Sequence, residues 1–167
     1  MSRPRIDIEK DGSDWVIEIV GFLFLAGLII MPLYYYDQLP ESIATHYNAN
    51  GKADGFSGRG MIWSLPATGL VMFIGLSVIN KFPHIFNYPT EITIDNAERQ
   101  YRGATKLIRM LNTIIMGAFL YISSRTILGA SNKDAGLGAW FIPVFIILMF
   151  TPIVYYLVYS VNNKSKK

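Results

Sequence analysis

The chain has 167 residues, the length of a single domain. Half of them (51%) are hydrophobic and only 16% are charged, a composition typical of a membrane protein and not of a soluble domain with a charged surface. The chain contains no cysteine, which excludes disulfides and thiolate metal sites. The net charge is +3, so the placement of the basic residues is more informative than their number.

Four apolar runs are each long enough to cross a hydrocarbon core of about 30 Å. They predict transmembrane helices at about 15–36, 61–80, 110–130 and 137–160. The first run ends in Met-Pro-Leu-Tyr-Tyr-Tyr and not in a small-residue cleavage site, so we interpret it as a retained span. The predicted fold class is therefore an all-α membrane protein with four transmembrane helices.

The basic residues lie mostly on one side of these spans. Eleven of the fifteen precede span 1, connect spans 2 and 3, or follow span 4: Arg3, Arg5, Lys10, Lys81, Arg99, Arg102, Lys106, Arg109, Lys164, Lys166 and Lys167. Because cytoplasmic segments carry the excess of Lys and Arg, we expect both termini to be cytoplasmic. The predicted organisation is a solvated cytoplasmic tail (1–14), a four-span membrane domain (15–160) and a second cytoplasmic tail (161–167).

The connection between spans 2 and 3 contains a helix start. Thr93 or Asp95 can cap the free amide groups, and Glu98 follows Asp95 at a capping-box spacing. We expect one long helix from there through span 3.

Four basic residues share one face of this helix, because they recur at intervals of three and four. They form a predicted basic stripe of Arg99, Arg102, Lys106 and Arg109. We expect the stripe to bind anionic lipid at the cytoplasmic face, and docking of an acidic partner segment is the alternative. The segment lacks the interleaved aromatic residues that would indicate nucleic-acid binding.

Three charged residues lie at the predicted depth of the cytoplasmic membrane boundary. Glu18 is one turn inside Trp15, and Lys81 and Arg109 are at the same depth. A charge at this depth has to be paired or reach the headgroups. We expect Glu18 to form a structural ion pair with Arg109 or Lys81 and not to act as a proton relay.

The polar stretch LPESIATHYNANGKADGFSGRG connects spans 1 and 2 and predicts a structured extracytoplasmic loop. Its segment ESIATHY predicts a turn or a short helix, and NANG and ADG are turn sequences. His46 and Asp54 can meet across this loop, with the carboxylate orienting the imidazole. We interpret that pair as a clamp of the loop, and a recognition surface for an extracytoplasmic ligand is the alternative.

His46 and Asp54 are also weak candidates for metal ligands. Zinc needs three or four protein ligands, and the outer face offers few others. No serine motif places a nucleophile and an oxyanion hole beside His46. We therefore expect no catalytic residue, no enzymatic activity, no resident metal and no cofactor.

The same stretch resembles the signature of bacterial membrane proteins that carry domain of unknown function 1648. That pattern runs Leu-Pro, Ile-Pro-x-His-(Phe/Tyr)-Asn, then Gly and Asp, then Gly-x-Lys. The matching residues are Leu39, Pro40, Ile43, His46, Tyr47, Asn48, Gly51, Asp54 and Gly58. Ala44 replaces a preferred proline, and Arg59 or Gly60 a usual lysine. FNYPTEITIDNAERQYRGATKLIRML resembles the family's cytoplasmic segment, so the resemblance covers roughly 18–127.

The best-understood relatives that this resemblance implies are immunity proteins against the sporulation-delaying peptide toxin. It implies an outward loop that meets a ligand and a basic cytoplasmic face that meets a partner protein. The implied binding residues are His46, Tyr47, Asn48, Gly51 and Asp54. We therefore expect a non-enzymatic multi-pass protein of the bacterial cytoplasmic (inner) membrane that senses an extracytoplasmic peptide or confers toxin immunity.

Two other functions stay open. An accessory subunit of a larger membrane complex would use the loop and the basic stripe as docking surfaces. A metal-dependent membrane enzyme or a transporter has weak support, because the span interiors hold few polar groups.

Overall fold

A computed structural model describes residues 3–130 and 136–163 of the chain. This part contains four long helices and one two-stranded antiparallel sheet. In chain order the elements are α1 (Gly12–Tyr35), β1 (Ser42–Tyr47), β2 (Ala53–Gly58), α2 (Ser64–Ile79), α3 (Ala97–Gly129) and α4 (Phe141–Asn162). Short 3₁₀ helices at Tyr36–Gln38, Arg59–Trp63 and Pro83–Ile85 join them.

All four long helices are long and apolar enough to cross a membrane. Their apolar stretches, including flanking 3₁₀ turns, are Gly12–Gln38, Arg59–Ile79, Ala97–Gly129 and Phe141–Asn162. The four predicted spans are therefore confirmed to within a few residues at most ends. The protein is a multi-pass membrane protein whose fold is mostly helical, with the small sheet as the departure from the all-α prediction.

α1 begins three residues before the predicted span because the preceding residues cap it. The Asp11 carboxylate accepts a hydrogen bond from the Asp14 amide (2.9 Å), and the Asp14 carboxylate accepts one from the Asp11 amide (3.0 Å). This capping box satisfies amide groups that a free helix end leaves unpaired. The hydrogen bond from Ser13, then that from Asp14, and then Lys106 hold the pKa of Asp11 well below its usual range.

The predicted capping of α3 by Thr93 or Asp95 is wrong. α3 begins after Asn96, whose buried side chain accepts from the Thr93 amide (2.9 Å) and donates to the Glu91 carbonyl (2.9 Å). The Asn96 side chain thus closes the preceding turn, and the helix starts one residue after it. From Ala97 the helix runs unbroken to Gly129, as the predicted long helix requires.

α3 is the central helix and contacts each of the other three long helices. Leu25 and Leu28 of α1 pack with Met116 of α3 in the middle of the bundle. Gly69 of α2 lies directly on Leu28, where an added Cβ would be 2.8 Å from the Leu28 Cδ2 atom. The absence of a side chain at Gly69 therefore sets how closely α2 approaches the bundle.

The N-terminal residues and the last turn of α4 lie at the same end of the bundle. The Tyr101 hydroxyl donates to the Pro4 carbonyl (3.0 Å), and Arg102 donates to the Glu9 carbonyl (3.2 Å). Gln100 donates to the Ser160 carbonyl (2.9 Å). The expected N-terminal tail is largely exposed, but these hydrogen bonds hold it against α3 and it is not a free solvated tail. Lys164, Lys166 and Lys167 lie outside the described residues.

The close approach at Gly69 predicts a position-specific effect on stability. We expect Gly69→Leu to lower the free energy of unfolding by about 1–3 kcal/mol, because an overpacked core forces its neighbours to shift. SDS titration of the protein in detergent micelles measures this quantity. Gly75→Leu is the matched control on α2, since nothing lies within 4 Å of a Cβ built at Gly75. Equal losses in the two variants would contradict the packing assigned to Gly69.

Candidate functional site

The polar connection between α1 and α2 is a β-hairpin, which we call the outer hairpin (Ser42–Gly58). Its strands pair from Ser42 opposite Gly58 to Tyr47 opposite Ala53. The predicted turn or short helix in ESIATHY is wrong, because this segment pairs with residues beyond the NANG turn. Ile43 alone among the β1 side chains is fully buried, so the strand has one face on the bundle and one face outside.

The pairing register shifts on both sides of His46, which faces Gly55. An added Cβ at Gly55 would lie 2.8 Å from the His46 Cβ, so this position needs glycine. Asp54 has no direct partner across the sheet, and a bulge of this kind re-aims a side chain. The predicted contact is present, as His46 Nδ1 hydrogen-bonds Asp54 Oδ1.

The His46–Asp54 pair is open to solvent. The side chains are 72% and 42% exposed, and exposed ion pairs contribute only about 0–1 kcal/mol to stability. The pair therefore cannot be what holds the outer hairpin in place. Its atoms remain accessible to a ligand.

The tip of the outer hairpin is held by hydrogen bonds to its backbone amide and carbonyl groups. The Asn48 side-chain oxygen accepts from the amides of Asn50 (3.0 Å) and Lys52 (3.2 Å) and so closes the turn. Gly51 has a φ of +72°, a left-handed conformation that favours glycine. The Gly51 carbonyl accepts from the Leu137 amide (2.7 Å), which ties the tip to the segment that precedes α4.

The base of the outer hairpin is fixed on the end of α3. The Tyr47 and Thr126 hydroxyls share a hydrogen bond of 2.7 Å. Ile43 is buried in an apolar cluster at the same end, formed with Leu39, Ile62 and Ile127. Together with the contact at Gly51, these interactions attach the hairpin to the ends of α1 and α3, to the 3₁₀ turn before α2 and to the segment before α4.

A groove of about 500 Å³ lies between the outer hairpin and the end of α3. Phe56 stands on its rim with 57% of its surface exposed, and Arg125 lies on the α3 side. Pro40, Ser42 and Ala44 complete the hairpin side of the groove. The groove therefore combines an exposed aromatic side chain, a cation and strand backbone.

The five predicted binding residues fall into two groups. Tyr47, Asn48 and Gly51 build and anchor the outer hairpin, whereas His46 and Asp54 are exposed. Within residues 3–130 and 136–163, no three His, Asp or Glu side chains are grouped closely enough to hold a metal ion.

The opposite end of the bundle contains a buried ionic cluster. Arg109 is 7% exposed; its Nε lies 3.0 Å from Glu18 Oε1 and its Nη1 lies 3.2 Å from Asp14 Oδ1. The predicted pair of Glu18 with Arg109 is therefore confirmed. Lys81 does not join it, and Lys10 is the second cation on Glu18, at 2.5 Å.

The predicted basic stripe is occupied mainly by contacts within the chain. Arg102 lies 3.3 Å from Glu98, and Lys106 lies 3.1 Å from Asp11. With Arg109 buried, three of the four stripe residues face acidic groups of the chain itself, and Arg99 is the exposed member. Most of the stripe side chains that the sequence assigns to lipid or partner binding therefore bind the N-terminal segment and α1 instead.

Sequence reasoning missed three residues that shape these two regions. Asp14 is almost fully buried against Arg109. The sequence feature that could have identified it is its capping-box spacing from Asp11, in the segment DGSD. Phe56 and Gly55 have no comparable local signal, because their roles depend on strand pairing. The position of Gly55 opposite His46 becomes apparent only when the pairing of the two strands is known.

Comparison with known proteins supports the resemblance over the outer hairpin. The model of the family described as Domain of unknown function (DUF1648) matches residues 23–70. The predicted resemblance is confirmed there. The match begins in α1, contains the whole outer hairpin and ends in α2; it does not reach the segment after α2. The relationship to toxin-immunity proteins therefore rests on motif resemblance alone.

One curated relative shares part of the sequence. A protein of Archaeoglobus fulgidus described as "Uncharacterized protein" is 32% identical over 78 residues, which is 42% of this chain and 43% of that protein. The chain thus spans less than half the length of this relative. No solved structure matches the chain.

The conformation of Gly51 predicts that its replacement loosens the hairpin tip. We expect Gly51→Ala to weaken the contact with Leu137 by about 1–2 kcal/mol, because the left-handed region is unfavourable for alanine. The added Cβ would also meet the Gly138 carbonyl. Faster hydrogen exchange of the Leu137 amide is the measured result. Gly58→Ala is the control, since Gly58 has a φ of −58° and an added Cβ would make only an ordinary contact with the Glu41 carbonyl, at 3.9 Å. Unchanged exchange in Gly51→Ala would contradict the anchor.

The ionic cluster predicts a large cost for removing its cation. We expect Arg109→Ala to lower the free energy of unfolding by about 3–5 kcal/mol, because it leaves Asp14 buried without a counter-charge. Arg102→Ala removes an exposed pair, and we expect a loss of about 1 kcal/mol or less. SDS unfolding of both variants tests the difference. The double variant Asp14→Asn/Arg109→Met should recover part of the loss, and a failure to recover any would contradict the assigned cause.

Proposed function

We propose that this protein is a non-enzymatic membrane protein that binds an extracytoplasmic ligand through the outer hairpin. The observation that carries the proposal is that one group of hairpin residues anchors the hairpin while another group stays exposed. Tyr47, Asn48 and Gly51 fix it to the bundle, while His46, Asp54 and Phe56 stay exposed. A loop held in one conformation loses less entropy on binding than a mobile one.

The exposed side chains suit recognition better than catalysis. Aromatic residues carry much of the energy of binding interfaces, and Phe56 stands at the rim of the groove. Asp54, two residues before Phe56, and its partner His46 add polar groups on the same hairpin. The paired side chains of His46 and Asp54 can supply hydrogen bonds to a ligand.

An extended peptide is the ligand class that this surface favours. The described sheet has two strands, so each strand has one edge whose backbone groups pair with no other strand. Peptides bind such edges by adding a strand, with side-chain pockets providing specificity. Toxin immunity would be one form of this activity, and the motif resemblance supports it.

The distribution of basic residues supports the placement of the outer hairpin outside the cytoplasm. Arg3, Lys10, Lys81 and Arg102 lie at the end of the bundle opposite the hairpin, together with the start of α3. By the positive-inside rule, this distribution supports a cytoplasmic location for that end of the bundle. A cytoplasmic membrane is the proposed location.

Photo-crosslinking in native membranes tests the proposal. Tagged protein with a photoreactive residue at position 44, in the groove, should capture one extracytoplasmic peptide or protein, identified by mass spectrometry. In the same background, Phe56→Ala should reduce capture roughly thirtyfold, the effect of losing a contact worth about 2 kcal/mol. His46→Ala should reduce it less.

Lys52→Ala is the control, because Lys52 is exposed on the same hairpin and does not line the groove. Undiminished capture in Phe56→Ala and His46→Ala would contradict the proposal. Capture of a stoichiometric membrane subunit that is lost in these variants would instead make the hairpin a docking site and the protein an accessory subunit.

A further inference from the structure

A cavity of about 370 Å³ lies at the end of the bundle opposite the outer hairpin, between α1 and the end of α2. Its polar wall is formed by Lys10, Glu18, Asn80, Lys81 and Arg109. Its apolar wall is formed by Trp15, Ile19, Phe22 and Phe73. One end of the cavity is therefore charged, and the other continues along the apolar face of α1.

The cavity carries an excess of positive charge. Three cations line it (Lys10, Lys81 and Arg109) against one carboxylate, Glu18. Glu18 is already bound by Lys10 at 2.5 Å and by Arg109 at 3.0 Å. Arg109 is also paired with Asp14, at 3.2 Å. Lys81 is exposed, and within the described part of the chain it forms no ion pair. An anion entering the cavity therefore meets Lys81 as an uncommitted cation.

One buried polar atom of the lining lacks a hydrogen-bond partner within the described residues. Asn80 Oδ1 has no partner there, while its amide nitrogen donates to the Thr105 carbonyl at 3.1 Å. Buried polar groups in folded proteins are paired, so Asn80 calls for a ligand that donates a hydrogen bond.

The apolar wall indicates that this ligand is a lipid. Trp15, Ile19 and Phe22 are all more than half exposed on α1, next to the charged end of the cavity. The charged end lies at the helix termini, at headgroup depth, where basic pockets between spans bind anionic headgroups. A soluble anion would leave the adjoining apolar groove unused.

We propose that this cavity binds an anionic phospholipid such as phosphatidylglycerol. Lys81 holds the phosphate, a headgroup hydroxyl donates to Asn80, and an acyl chain follows Ile19 and Phe22. The site shares only Arg109 with the basic stripe, most of which is paired within the chain. It is also independent of the ligand proposed for the outer hairpin, which lies at the other end of the bundle.

Quenching of Trp15 fluorescence by brominated lipids measures occupancy of this cavity. The protein carries Trp63→Phe and Trp140→Phe, so that Trp15 alone reports, in phosphatidylcholine vesicles with a small mole fraction of brominated lipid. We expect brominated phosphatidylglycerol to quench more strongly than brominated phosphatidylcholine at the same mole fraction. Lys81→Ala should weaken the apparent affinity for phosphatidylglycerol roughly fivefold, the effect of losing one cation at a membrane surface.

Two variants separate this site from general charge effects. Lys81→Arg keeps the positive charge and should retain the preference for phosphatidylglycerol over phosphatidylcholine. This result would show that the effect of Lys81→Ala comes from the lost charge and not from misfolding. Lys52→Ala removes the same charge at the far end and should change nothing. Equal quenching by the two brominated lipids, or unchanged affinity in Lys81→Ala, would overturn the proposal.

Inorganic phosphate distinguishes a lipid from a soluble anion. Quenching that persists when phosphate replaces chloride at equal ionic strength supports a site that needs the acyl chain. Loss of quenching in phosphate alone would assign the cavity to soluble phosphate and overturn the lipid assignment.

Discussion

The pairing of Arg109 with Asp14 and Glu18 determines how α1 meets α3. The two carboxylates are four residues apart and therefore lie on one face of α1, with the guanidinium between them and α3. Removing charges from water costs several kcal/mol per ion, so an alignment that left any of them unpaired would be strongly disfavoured. One turn deeper, the Thr113 hydroxyl donates to the Ile17 carbonyl (2.9 Å) and keeps the same alignment.

This alignment also determines where the outer hairpin can sit. It brings the end of α1 level with the end of α3, so that Met31 and Tyr35 pack on the cluster containing Ile43 and Ile127. The hairpin therefore rests on α1 and α3, and the contacts of Arg109 that set the relative position of these helices lie near the opposite end of the bundle. A shift of α3 along α1 would separate the Tyr47 hydroxyl from Thr126 and remove the base of the hairpin.

The predictability of each element follows from the range of the interactions that form it. The spans were predictable because hydropathy and length act within each segment, and the Glu18–Arg109 pair because membrane depth limits the partners of a charge. The outer hairpin was not, because glycine-rich β2 has little strand character of its own and forms only by pairing. The stripe residues were placed on the correct face, but their acidic partners depend on the path of the N-terminal segment, which no local pattern encodes.

The same architecture bears on how the binding proposed for the hairpin could affect the opposite end of the bundle. Both α1 and α3 reach from one end to the other, and α3 is an unbroken helix of 33 residues that contacts the other three long helices. Coupling between sites requires an element with two discrete arrangements. Sliding or rotating α3 would break the buried contacts of Arg109, so a second arrangement would need new partners for Asp14 and Glu18. Lys10 is the cation closest to supplying one, since it already binds Glu18. Without such an exchange, a ligand bound as proposed at the outer hairpin would be held there, and its presence would not be transmitted along α3.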